Sequence, residues 1–183
     1  MIDYTGTLLI ASPHLEDPNF RMAVILLAHQ TKNEVLGLVL NRASEKSIAE
    51  FWESVFNKPC HCTDPLYIGG PMVGPVMGLM AVPSVESPET IKDVRLTTEK
   101  DQIRSFAEKP VGPFRVFLGH AGWSLDQLAA EIQSGVWHLL PADEEDLFAD
   151  SSELWLRALQ KSARSSLQHL VRLAELPENP GNN

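Results

Sequence analysis

The chain has 183 residues, 44% apolar and 21% charged, enough for one hydrophobic core and far from the composition of a disordered chain. Its formal net charge of -9 repels phosphate backbones and disfavours direct nucleic-acid binding. No stretch approaches the roughly 20 apolar residues of a membrane span. The start MIDYTGTLLIASP lacks a secretory pattern, and Cys60 and Cys62, one residue apart, make a poor disulfide, so the expected location is the cytoplasm.

In chain order, apolar runs predict strands at Leu8 to Ala11, Ala23 to Ala28, Val35 to Leu40, Leu66 to Ile68 and Val76 to Val82. Their near-continuous apolarity predicts cover on both faces. SEKSIAEFWESVF sets Ile48, Phe51, Trp52, Val55 and Phe56 on one side of a 3.6-residue period, an aromatic-rich helix expected as a central element around which strands wrap.

The second half predicts a strand Val94 to Leu96, a helix Glu99 to Glu108 after a Thr98 cap, a strand Phe114 to Leu118 and a helix from Leu125 whose buried stripe is Leu125, Leu128, Ala129 and Ile132. A strand Val136 to Leu140 follows, then an acidic connection. The last helical region, with Asp150 and Glu153 as a capping pair, spaces Leu156, Leu159, Ala163, Leu167, Leu170 and Ala174 helically, with a break expected near Ser165. Three strands precede the first helix, which favours α+β over a doubly wound sheet. We expect a single domain over residues 1–176 and a disordered tail over 177–183.

The first candidate site is GHAGWSLDQL, where Gly119 and Gly122 bracket a turn from strand to helix and Ser124 and Gln127 have capping-box spacing. One reading places an anion on the amides near Gly122, with His120 donating or accepting a proton. The other is a tight turn with Trp123 in the core. The segment is neither a nucleophile elbow nor a phosphate-binding loop, because no nucleophile stands between the glycines and no Gly-Lys-Ser/Thr follows.

Gly69 and Gly70 in YIGGPMVGP form a second candidate, a turn that lets backbone approach a ligand or another strand. Asn41 and Arg42 form a third, at a strand end where binding residues often sit, with a salt bridge or cap as the alternative. Asp17 is a candidate partner for Arg21 or Arg42. Cys60-His61-Cys62 has zinc-ligand chemistry but lacks a second ligand pair, so no metal is expected and the segment reads as an exposed loop. His14, His29, His138 and His169 fit no ligand spacing and read as surface or packed residues.

Taken together, LLIASPHLEDPNFRMAVILL, GLVLNR, YIGGPM and RVFLGHAGWSLDQLAAEIQSGVW resemble the successive blocks of the YqgE/AlgH family over about residues 5 to 140. The resemblance implies an α+β fold in which a branched mixed sheet packs around a central helix, with C-terminal helices. It supplies no agreed catalytic residues. One of the family's names comes from a protein described as a transcriptional regulator of alginate biosynthesis. The family usually has tyrosine at the position of His120, which puts a phenol role there out of reach in this chain.

Three functions remain on these grounds. The first is a non-enzymatic binding or regulatory module, with no cofactor, acting on transcription indirectly through an unknown small molecule or protein partner; no paired acids, nucleophile with base or metal set is evident. The second is an enzyme, such as a hydrolase, with a cleft near His120 and Asn41. The third is direct DNA binding, for which the best basic stretch is Arg157, Lys161 and Arg164 at helical spacing.

Overall fold

A computed structural model describes residues 2–81 and 94–174, with side chains to Gln168. The expected tail, residues 177–183, lies outside the described residues. Ten strands and five helices follow one another in these segments. The strands are β1 (Thr7–Ala11), β2 (Val24–Gln30), β3 (Glu34–Val39), β4 (Ala43–Ser47), β5 (Pro65–Ile68), β6 (Met77–Ala81), β7 (Val94–Thr97), β8 (Phe114–Leu118), β9 (Ala121–Ser124) and β10 (Trp137–Pro141). The helices are α1 (Ile48–Phe56), α2 (Lys100–Glu108), α3 (Leu125–Gln133), α4 (Glu144–Phe148) and α5 (Leu154–Ala174).

Two five-stranded sheets result, ordered β10-β1-β2-β3-β9 and β4-β5-β8-β6-β7. Among the described strands only β5 and β8 pair in parallel. The expected α+β class with a mixed sheet and C-terminal helices is what the chain adopts.

Side-chain alternation explains why β1 and β2 carry unbroken apolar runs. Leu8, Ile10, Val24 and Leu26 point into a core shared with Met77, Leu79 and Phe117 of the second sheet, and α4 and α5 close that core through Leu147, Leu154 and Ala158. Leu9, Ala11, Ile25 and Leu27 point the other way, into a core closed by Trp123, Leu128 and Trp137. Both faces are therefore dry, as a period of two requires when neither side meets water. The outer face of the second sheet is covered by α1 and α2, where Ile48, Phe51 and Trp52 meet Ile103, Phe106 and Val116. The aromatic helix packs on this outer face beside α2, and Val55 of its expected stripe is exposed.

Local chemistry sets the element ends. Ser47 and Glu50 form a reciprocal capping box, so α1 starts at Ile48 and the residues before it join the sheet as β4 instead of extending the helix. Asn57 ends α1 in a left-handed conformation. For α2 the N-cap is Glu99 without a side-chain bond, and Thr97, not Thr98, caps nearby by accepting from the Glu99 amide.

The helix at the C-terminal side is continuous through Ser165, and its buried stripe is Leu154, Ala158 and Ser162. Of the expected stripe, Leu159 packs half-buried on the core, Leu156, Ala163 and Leu167 are exposed, and the side chains of Leu170 and Ala174 lie outside those described. Asp150 turns back on Ser152 instead of pairing with Glu153. α5 is latched to α4 by charge. Lys161 Nζ lies 2.6 Å from both Asp143 Oδ2 and Asp146 Oδ2, and Arg157 Nη2 lies 3.3 Å from Asp146 Oδ1 and Glu145 Oε1.

Candidate functional site

The two glycine turns meet. Gly69 N donates to Leu118 O and its carbonyl accepts from Val39 N, while Met72 and His120 exchange backbone hydrogen bonds at 2.9 and 3.0 Å. A Cβ on Gly69 would sit 2.3 Å from Gly119 O, and one on Gly70 would sit 2.2 Å from the His120 carbonyl carbon. Gly119 itself has φ of +72°, a left-handed value that glycine adopts without strain. These glycines let the chain pass from one sheet to the other at backbone contact distance.

The GHAGW segment does not lead straight into a helix. β9 intervenes, pairing Gly122 with Leu36 and Trp123 with Val35, so the helix start lies at Ser124 and not at Gly122. The anion site expected on helix-start amides near Gly122 therefore lacks its geometry. Ser124 does cap α3 by accepting from Gln127 N at 3.1 Å, but Gln127 turns its amide to Glu131 rather than completing a capping box. In α3 only Leu128 of the expected stripe is fully buried; Leu125 and Ile132 are half-buried and Ala129 is exposed.

Trp123 packs in the core beside Phe20 and at a right angle to Trp137, 6.0 Å between ring centroids. One carboxylate oxygen of Glu131 accepts from both indoles, at 3.0 Å from Trp123 Nε1 and 2.7 Å from Trp137 Nε1. Glu131→Leu strands two buried N–H donors and is expected to cost about 2–4 kcal/mol. A urea titration followed by tryptophan fluorescence measures it, and Glu131→Gln, which keeps one acceptor, is expected to recover part of the loss.

The hollow formed at this crossing is about 270 Å³, lined chiefly by His29, Glu34, Leu36, Met72, His120 and Gly122. Sheet register builds its floor, because His29 of β2, Leu36 of β3 and Gly122 of β9 stand opposite one another on adjacent strands. Met72 forms its roof: a Cβ on Gly122 would come 3.0 Å from Met72 Sδ. His120 Nδ1 is buried with no hydrogen-bond partner, pressed toward Gly74. His120 Nε2 has no partner among the described residues either and is the accessible nitrogen of the ring.

Asn41 and Arg42 lie elsewhere, in a separate surface hollow with Arg21, Met22 and Ile68. Their polar atoms are engaged in holding the chain. Asn41 accepts from Val24 N at 2.9 Å and donates to Met22 O at 2.8 Å, and Arg42 donates to Pro18 O and Arg21 O. Burial lowers the Arg42 guanidinium from its ordinary value, with the charge of Asp17 opposing and that of Arg21 adding. Asp17 makes no ion pair within 4.0 Å among the described residues. Among the described residues His120 and Asn41 therefore line separate hollows and do not share one cleft.

Cys60 and Cys62 are free and buried in the core under α1, not exposed in a loop, and burial pushes the Cys62 thiol up. Among the described residues no three His, Cys, Asp or Glu side chains cluster in a way that holds a metal. Nor, among them, is any helix long and apolar enough to cross a membrane.

His29 went unrecognised in the sequence as a member of the hollow because its neighbours come from distant strands. Arg115 escaped notice for a related reason, standing in FRVFL where a period of two permits an outward polar residue. It is instead 5% exposed, facing the inner core.

Comparison with known proteins agrees with this architecture. The solution structure of the AlgH protein from Pseudomonas aeruginosa is similar with a TM-score of 0.71 and 27% identity, over 95% of each chain. A crystal structure from Corynebacterium diphtheriae shares the fold, with a TM-score of 0.72 at 24% identity over 88% of each chain. A UPF0301 protein of Thermobifida fusca is 34% identical over 197 aligned residues, covering 98% of this chain and 95% of the relative. One from Pseudomonas fluorescens strain SBW25 is 35% identical over 175, covering 91% and 92%. The AlgH-like family model matches residues 8–165, and with relatives this similar along nearly their whole length, the chain belongs to the AlgH-like family.

Proposed function

We propose that this protein is a non-enzymatic binding module that takes a small molecule in the hollow between His29, Leu36, Met72 and His120. The observation that carries this reading is the His120 ring, unsatisfied on both nitrogens, at the wall of a hollow roofed by the half-exposed Met72. Nδ1 is sealed against Gly74, so Nε2 is the nitrogen that offers a ligand a hydrogen bond from a ring held by no other polar contact among the described residues. Thioether sulfur and methyl groups adapt their shape to different occupants, which suits a roof.

Catalysis is the weaker reading because, among the described residues, no carboxylate hydrogen-bonds His120 and no nucleophile does. A regulatory effect on transcription, exerted through the ligand or a protein partner, is consistent with the acidic surface. Of the candidate basic stretch Arg157, Lys161 and Arg164, the first two are paired with Asp143, Glu145 and Asp146, which leaves little of that stretch for a phosphate backbone. The two free, buried thiols suit a cytoplasmic setting.

Thermal-shift screening against metabolites and nucleotides tests the reading. At least one compound is expected to raise Tm in a dose-dependent way for the native chain and not for His120→Ala. Equal responses in both, or none in either, count against it.

A further inference from the structure

A second cavity, of about 470 Å³, lies at the far end of the inner core. Its floor is Arg115 of β8, a residue 5% exposed on the face of the sheet that looks toward the other sheet. Arg115 Nη1 donates to Leu40 O at 2.5 Å and Nη2 donates to Ala149 O. The guanidinium carbon stands 4.6 Å from the centre of the Tyr67 ring, so one face of the cation is covered by an aromatic ring. No carboxylate lies within 4.0 Å of it among the described residues. Two carbonyls and a ring contact the cation, and Asp150 acts on it only from beyond contact distance; burial lowers the Arg115 guanidinium from its ordinary value, with Tyr67 and Asp150 opposing.

We propose that this cavity is a binding site for a small monocarboxylate with an apolar or aromatic body, its carboxylate on Arg115 and its body against Tyr67, Phe114 and Phe148. A guanidinium has five N–H donors, of which the two carbonyls use two, and a planar carboxylate matches the geometry of those that remain. Three aromatic side chains stand among otherwise largely polar walls and give the body of the ligand its apolar contacts. Asp64 and Asp150 also line the cavity, both on its exposed side, so with Arg115 the local formal charge is already -1 (one cation, two carboxylates). Repulsion grows with each negative charge the ligand brings, which favours a monoanion held directly on Arg115 over a phosphate dianion. The volume falls in the range of small-molecule sites, roughly 300–1,000 Å³.

The test keeps the native protein and varies the ligand, because Arg115 also ties β3 to the end of α4 and its loss disturbs the fold. Calorimetric titration with phenylacetate is expected to show saturable one-to-one binding, and phenylacetamide and inorganic phosphate to bind at least about tenfold more weakly. Ser151→Phe, which fills the cavity mouth, is expected to weaken phenylacetate about tenfold or more with Tm unchanged, whereas His120→Ala leaves it unaffected. Amide binding as tight as acid, phosphate binding tighter than either, no saturable binding at millimolar ligand, or indifference to Ser151→Phe each overturns the proposal.

Discussion

Gly69→Ala is expected to destabilise the protein by about 3 kcal/mol or more, on the scale of forced overpacking against backbone. For a domain of this size that lowers Tm by roughly 6–12 °C. The added methyl would sit 2.3 Å from Gly119 O and 3.2 Å from Leu38 Cδ2, so both backbone and side chain stand in its way. Neither side yields easily, because Gly69 is tied through its amide to Leu118 and through its carbonyl to Val39. Gly135→Ala is the control. Its φ is +77° but nothing lies within 4 Å of the new methyl, so only the left-handed backbone is penalised, at about 1–2 kcal/mol. Thermal unfolding of both variants separates the crowded crossing from ordinary glycine conformational preference, and equal losses in the two contradict the crossing as the cause.

Lys161→Met is expected to cost about 3 kcal/mol, because it strips the closest cation from Asp146, whose side chain is 2% exposed. Arg157 remains at 3.3 Å and limits the damage. Adding Asp146→Asn to Lys161→Met is expected to recover part of the loss, since the buried charge goes with its partner. The pH dependence follows from the groups beside it. Burial raises the Asp143 carboxyl, but the Lys161 and Asp146 hydrogen bonds outweigh it, so the folded value is depressed. Its contribution is present above the unfolded value of about 3.9 and is lost as pH falls through the folded one. Burial lowers the Lys161 ammonium, and its bonds to Asp143 and Asp146 win, so its folded value is raised. That contribution is complete below the unfolded value of about 10.4 and is lost as pH rises through the folded one. Urea midpoints of native and Lys161→Met chains should therefore differ most between these limits and converge outside them.

How much of this was legible in the sequence depends on which residues carry their own signal. The strands β1, β2 and β3 were readable because two dry faces make an unbroken apolar run. β4 and β9 were not: ASEKS is polar because it lies at a sheet edge, and AGWS is too short to show a period. In α5 the large leucines drew the stripe to Leu156 and Leu167, while the true contact face uses the smaller Ala158 and Ser162 beside Leu154.

At the candidate site the glycines announced a close approach, yet nothing local said that the partner of one glycine turn is the other. Asn41 and Arg42 were rightly placed at a strand end, but whether their polar atoms face a ligand or their own backbone is a tertiary fact. His29 and Arg115 show the same limit from the opposite side, since each becomes part of a hollow only after distant strands align.

The most direct measurement is amide NMR of the labelled protein titrated with a fragment set of small heteroaromatics. The account predicts dose-dependent shifts that cluster on His29, Leu36, Met72, His120 and Gly122, and that vanish in Gly122→Val, whose side chain fills the floor beneath Met72. Fragments that never shift this cluster, or shifts that persist unchanged in Gly122→Val, would contradict it.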